Sequence, residues 1–269
     1  MFSIFLVIEL NIGSLSTNQR YFPMRDMAPA KWHQESVVDR HWLDMQGIIV
    51  CSPTQKPTRF TIQVNQLKCI TVVVNYFLEF RPYQNGKCGI TLNSGWAHPE
   101  NPDDPNDILA SRIAMSLYLG WWAYPIYGTD GNYLQLMKDT LSDEGEWNED
   151  WNLTDDQMKM VKGSSDFFGL NHYGSDIVKY DEKAKYKHVK MPKCKEWPTT
   201  GSSWLRPVPW AFRELLKFIH QEFDSSKYPI FVTENGLSSK DMPGIPTNGT
   251  DFDPNLNDQF RINFYKGMN

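Results

Sequence analysis

Tyr228-Pro-Ile-Phe-Val-Thr-Glu-Asn-Gly236 sets the apolar run Ile230 to Val232 directly before a hydroxyl, a carboxylate, an amide and a glycine. A buried strand reads this way when it delivers polar groups at its C-terminal end. Just upstream, Pro209 to Phe223 predicts a helix: Pro209 suits a first turn, and Phe212, Leu215, Leu216, Ile219 and Phe223 recur at spacings of three or four. The same grammar occurs twice more. Cys88 to Asn93 is an apolar run leading into Ser94-Gly-Trp-Ala-His-Pro99. A helix follows over Asp107 to Leu119, with Ile108, Ala110, Ile113, Ala114 and Leu117 on its apolar face and Asp104 or Asn106 as cap. Asp166-Phe-Phe-Gly-Leu-Asn171 runs into His172 and Tyr173, after a short helix to about Val161 opened by a capping box of Thr154 and Gln157. Three strands alternating with helices imply an α/β fold with a parallel sheet. A TIM barrel and a doubly wound sheet both satisfy that pattern.

The remaining text is less regular. Trp121 to Trp151, with Pro125 and several glycines, reads as a looser region, and Leu256-Asn-Asp258 reads as the cap of a helix through Phe264 and Tyr265. Residues 1–72 have a different character, with short β-prone pieces at Thr61-Ile-Gln-Val64 and Cys69-Ile-Thr-Val-Val-Val74 between polar and proline-bearing stretches; they match no motif. The opening apolar run has no basic region before it and is interrupted by Glu9, so it supports a signal peptide poorly. Nor does any uninterrupted apolar run reach the roughly 18 residues that a membrane-spanning helix needs.

Composition narrows the partners. The 269-residue chain carries a net charge of -5 with its charges interspersed, which points away from a nucleic-acid groove or a polybasic membrane patch and toward a neutral or small polar substrate. Ten Trp, twelve Tyr and fifteen Phe suit stacking on sugar rings as well as a large core. Cys51, Cys69, Cys88 and Cys194 have neither CxxC nor zinc-site spacing and read as buried thiols. The sequons Asn152-Leu-Thr154 and Asn248-Gly-Thr250 tilt localisation toward a secreted or lumenal compartment, with a cytoplasmic one still compatible.

Glu234, at the end of an apolar strand between Thr233 and Asn235, is the leading chemical candidate, because a carboxylate left unpartnered in a sheet interior is costly. A structural ion pair or a strand-end cap explains it equally well without further context. That context comes from six segments in order. Gly89-Ile-Thr-Leu-Asn-Ser94 with Trp96-Ala-His-Pro99, Gly120-Trp-Trp-Ala-Tyr-Pro125, Phe168-Gly-Leu-Asn-His-Tyr173, Trp204-Leu205 with Pro209-Trp210, Ile230-Phe-Val-Thr-Glu-Asn-Gly236 and Leu256-Asn-Asp258 together resemble landmarks of the family 1 glycoside hydrolases. The resemblance covers the chain from about Val73 onward and corresponds to about the second half of that family's domain.

The resemblance implies an incomplete (β/α)8 TIM barrel with strands five to seven recognisable, residues 1–72 unassigned and residues 73–269 forming the partial barrel domain. It implies hydrolysis of β-glycosides by a retaining double displacement, with a β-glycoside or oligosaccharide as partner and no cofactor or metal. Glu234 matches the nucleophile and Tyr173 the tyrosine that orients it; Asn171 and Trp204 match residues of the sugar-binding layer and the aglycone side. His172 faces away from Asn171 and Tyr173 by strand alternation and reads as structural, and Trp121 and Trp122 read as core. His98 stands where the family has Glu, Gly131-Asn-Tyr-Leu134 replaces Gly-Asp-Tyr-Pro, and Ala211 replaces Gly. The acid/base motif Asn-Glu-Pro does not occur in the sequence, and Glu9, Glu35 and Glu79, the glutamates before Lys87, lie in no matching context. The chain is therefore expected to be a fragment impaired in turnover. The alternative reading is a non-catalytic carbohydrate-binding or protein-interaction module derived from the family, and a third is a nonfunctional polypeptide that folds poorly.

Overall fold

The computed structural model describes residues 5–9, 20–23, 87–192, 197, 200–202, 205–238 and 258–268. Eight strands are present among them: β1 (Phe5–Glu9), β2 (Arg20–Pro23), β3 (Lys87–Asn93), β4 (Ala97–Pro99), β5 (Phe168–His172), β6 (Asp176–Tyr180), β7 (His188–Lys190) and β8 (Ile230–Asn235). The helices are α1 (Pro105–Met115), α2 (Trp121–Tyr127), α3 (Gln135–Asp143), α4 (Asp155–Val161), α5 (Pro209–Glu222) and α6 (Gln259–Lys266). The larger sheet has the order β2-β1-β3-β5-β8, and a smaller one has the order β4-β6-β7.

The three strands expected from the sequence, β3, β5 and β8, are neighbours in one sheet. Their bonds advance in step along both strands of each pair: Asp166 N donates to Cys88 O and Ser94 N to Asn171 O, while Phe168 N donates to Pro229 O and Thr233 Oγ1 to Asn171 Oδ1. Both pairs are therefore parallel, and with the intervening helices they form part of a (β/α)8 barrel with an incomplete strand set. On the other side of β3 the pattern changes. β1 pairs antiparallel with it, from Phe5 opposite Thr91 to Glu9 opposite Lys87, and β2 pairs antiparallel with β1. Phe5–Glu9 of the opening apolar run thus form a strand. The β-prone stretches at Thr61 and Cys69 lie outside the described residues.

Two compact units divide the chain, the first comprising Met1–Asn93, Ser116–Gly169 and Glu222–Phe231, the second Ser94–Met115, Leu170–Gln221 and Val232–Asn269. In the first unit, the turn before β5 is fastened to β3 by polar side chains. Cys88 N donates to Asp166 Oδ2 at 2.8 Å, Ile90 N donates to Ser165 Oγ at 3.3 Å, and the buried Tyr127 hydroxyl donates to Phe167 O at 2.8 Å. Gly169 lets β5 approach β3 closely, since a Cβ there would stand 2.6 Å from Thr91 Oγ1 and 2.8 Å from Ile90 O.

Trp121 and Trp122 are buried, as expected, but the region around them is helical. Pro125 offers α2 no N–H, yet α2 persists because Trp121, Trp122, Tyr124, Ile126 and Tyr127 are all buried. Trp121 packs against Tyr133 and Trp151 edge-on and against Trp147 in a stack. At the start of α4 the capping box forms as read: Gln157 N donates to Thr154 Oγ1 at 3.3 Å and Thr154 N to Gln157 Oε1 at 3.0 Å. Thr154→Ala is expected to cost about 1 kcal/mol, seen as a fall of about 2–4 °C in the thermal midpoint.

In the second unit, β4 and β6 are parallel and β7 is antiparallel to β6. α1 packs on this small sheet, with Ser111 Oγ bonded to Ala97 O at 2.5 Å. Its buried face differs from the expected one: Ile108 is 42 % exposed, whereas Asp107 is only 4 % exposed. The reason is polar, because the Asp107 carboxylate accepts from Asn101 N at 3.0 Å and from Tyr180 N at 2.9 Å, tying the helix start to β6. The expected extension to Leu119 continues as a π-helical turn over Ser116–Gly120, which shifts the phase of the apolar face. α5 matches its expected span and buries Ala211, Phe212, Leu215 and Ile219. α6 is capped by Asp258, whose side chain accepts from Arg261 N at 3.1 Å, and Phe264 packs with Leu205 and Leu237.

Candidate active site

The C-terminal ends of β5 and β8 are joined by side chains from consecutive residues. Thr233 Oγ1 donates to Asn171 Oδ1 at 2.7 Å, the Tyr173 hydroxyl donates to Glu234 Oε2 at 2.9 Å, and Asn235 Nδ2 donates to His172 O at 2.9 Å. Parallel strand pairing brings the two sets into register, and the change from apolar to polar residues at both strand ends leaves the groups at the strand tips.

Each bond constrains the next group. Tyr173, 38 % exposed, has its phenol pushed above the ordinary tyrosine value by burial, and the adjacent Glu234 carboxylate adds to the shift. The phenol therefore stays protonated and serves as a donor to that carboxylate. Asn171 is almost wholly buried; with Oδ1 held by Thr233, its Nδ2 has no hydrogen-bond partner among the described residues. That leaves a buried amide donor two residues before Tyr173 on the chain.

His172 is buried against the ring of Phe212 on α5, with centroids 4.6 Å apart. Burial alone pushes its pKa down to about 4. The folded protein thus resists a proton that the unfolded chain accepts near pH 6.5, so stability is full above that value and is lost as pH falls toward 4. His98 and His188 shift in the same direction, each through burial first. We expect His172 alone to account for roughly 2 kcal/mol of destabilisation between about pH 7 and about pH 5. Urea midpoints measured across that interval should fall, and His172→Phe should flatten the profile.

His98 occupies its own niche: Nδ1 accepts from Trp96 Nε1 at 3.3 Å, and the ring meets Trp210 edge-on at 4.7 Å. Trp204, Glu35 and Glu79 lie outside the described residues, as does the side chain of Glu9. Tyr265 carries no chemical signal in the sequence, yet its hydroxyl donates to Asn235 O at 3.2 Å. Helical periodicity placed Tyr265 on α6 but could not show that its hydroxyl returns to the end of β8. The roles of Asn235 and His172 were equally hidden, since cross-strand bonds depend on register.

A profile of the glycosyl hydrolase family 1 matches residues 46–268. The chain belongs to glycosyl hydrolase family 1. Lactase/phlorizin hydrolase from Homo sapiens is 34% identical over 182 residues, covering 61% of this chain and 9% of that protein. Beta-glucosidase 1B from Phanerodontia chrysosporium is 32% identical over 199 residues, covering 72% of this chain and 34% of that protein. Among solved structures, the beta-glucosidase from Trichoderma harzianum is similar with a TM-score of 0.65 at 32% identity, over 81% of this chain and 46% of that one. This family 1 chain thus spans less than half the length of these relatives. Among its described residues, no helix is long and apolar enough to cross a membrane.

Proposed function

We propose that this chain carries the nucleophile side of a retaining β-glycosidase, with Glu234 attacking the anomeric carbon of a β-glycoside. The observation that carries the reading is the 2.9 Å bond from the Tyr173 hydroxyl to Glu234 Oε2 at the C-terminal ends of parallel strands. A phenolic donor favours the ionised carboxylate and fixes its direction, which covalent attack requires. The attack forms a bond from Glu234 to the anomeric carbon as the bond to the leaving oxygen breaks, and water later releases the sugar. Asn171 contributes a buried amide donor for a sugar hydroxyl or the carboxylate, and Trp204 an aglycone platform. The partial barrel is assigned to residues 73–269, and the reaction calls for two carboxyl groups and no metal or organic cofactor.

The second carboxyl has no assigned residue, because the sequence contains no Asn-Glu-Pro. That observation favours, as the second reading, a family-derived sugar-binding or protein-interaction module without turnover. Mass spectrometry after incubation with an activated aryl 2-fluoro-β-glycoside separates the two. A stable glycosyl ester on Glu234 supports the nucleophile, and the absence of any adduct from folded protein at saturating reagent sinks it.

A further inference from the structure

The bond that follows Glu234 along β8 is built differently from its neighbours. Asn235 Nδ2 is shared between His172 O at 2.9 Å and His172 Nδ1 at 3.3 Å. The contact with the carbonyl decides which way the amide faces, because reversing it would set two oxygens against each other. With a donor thus pointed at Nδ1, that ring nitrogen is read as the acceptor and the imidazole as neutral, its proton on Nε2, which is buried without a hydrogen-bond partner among the described residues. The ring also packs against Phe212 of α5. Asn235 is also held through its own carbonyl, which accepts from Tyr265. The residue next to Glu234 is therefore fixed from two directions, and His172 supplies one of them.

We propose that His172 is a positioning residue, acting through the Asn235 amide to hold the backbone that aims the Glu234 carboxylate at Tyr173. The inference builds on the function proposed above for Glu234 and gives a buried, non-contacting histidine a defined part in it. A purely packing role would be served by any ring of similar size against Phe212, whereas this role needs, beside the backbone carbonyl that any residue there keeps, a second acceptor at the place of Nδ1. Asn at residue 172 offers such an acceptor through its side-chain oxygen, while Phe keeps the bulk and offers none. The neutrality of the ring agrees with its surroundings, since Phe212 and Asn235 carry no charge and burial alone lowers its affinity for a proton.

The test uses the full chain with ζ-13C tyrosine, the Tyr173 resonance being assigned by its loss in Tyr173→Phe. In the parent, the Tyr173 phenol should titrate above the ordinary tyrosine value because burial raises it and the bond to Glu234 adds to the shift. In His172→Phe the midpoint should fall by the part of the shift that the Glu234 bond contributes, burial keeping the rest, and in His172→Asn it should return most of the way to the parent's. An unchanged midpoint in folded His172→Phe overturns the proposal. If that variant does not fold, 15N spectra of the parent decide instead: a proton on Nε2 with Nδ1 as acceptor supports the role, and a proton on Nδ1 overturns it. Capture of the 2-fluoro glycoside is read in parallel, with His172→Phe expected to be at least about tenfold slower and His172→Asn regaining most of the rate. Failure of the parent to form any adduct counts against Glu234 as nucleophile, while the tyrosine and histidine spectra still judge His172.

Discussion

Glu234→Gln is expected to abolish covalent capture of an activated aryl 2-fluoro-β-glycoside, with loss of the adduct by at least about a thousandfold. The amide has nearly the shape of the carboxylate but no negative charge with which to attack the anomeric carbon. Fluorine at the sugar's 2-position destabilises the oxocarbenium-like transition states of both steps, and an excellent aryl leaving group offsets this only in the first, so the ester accumulates. The Tyr173 bond to Glu234 can persist to the amide oxygen, and the fold should be retained. Peptide mapping of the parent and the variant checks the result; equal labelling of both would place the nucleophile elsewhere.

The second large effect concerns the leaving group. The 269-residue polypeptide should discriminate between an activated aryl β-glycoside and an alkyl β-glycoside by about 10²- to 10⁴-fold more than a glycosidase with its acid/base in place. A phenolate stabilised by nitro groups departs without a proton, but an alkoxide does not, and the sequence holds no Asn-Glu-Pro to supply one. Release of the intermediate needs the same missing group as a base, so the activated substrate should give a burst with a slow steady state. Stopped-flow and steady-state rates on the two substrates measure this. Robust turnover of the alkyl glycoside, abolished by Glu234→Gln, would overturn the expectation and direct the search for a proton donor to Glu9, Glu35, Glu79 or a partner chain.

Much of this site was written locally. β3, β5 and β8 announce themselves as apolar runs that stop at polar residues, and α5 has an unbroken helical period that one buried face explains. Thr154 and Gln157 lie three apart, so their reciprocal bonds needed only helix geometry. What escaped depends on partners distant in sequence. Asp107 is an acid on what reads as a helix's polar side until Tyr180 N, 73 positions away, draws it inward. The strands β4 and β7 are too short to show alternation, and they exist because β6 lies between them. The pairing of Asn235 with His172 and of Tyr265 with Asn235 required the register of two strands and the return of a helix, neither of which any spacing encodes.

The hairpin of β1 and β2 has a bearing on how the molecule behaves in concentrated solution. A parallel sheet cut open along β3 would present a row of bare amides and carbonyls, a template for stacking strand upon strand between molecules. β1 covers that row from Lys87 to Thr91, and the outer margin passes to β2, which is short and ends at Pro23, a residue with no amide hydrogen to offer a newcomer. Polymerisation through this margin is thereby discouraged, and a deletion of residues 1–23 should bring cross-β aggregates at protein concentrations where the longer chain stays dispersed.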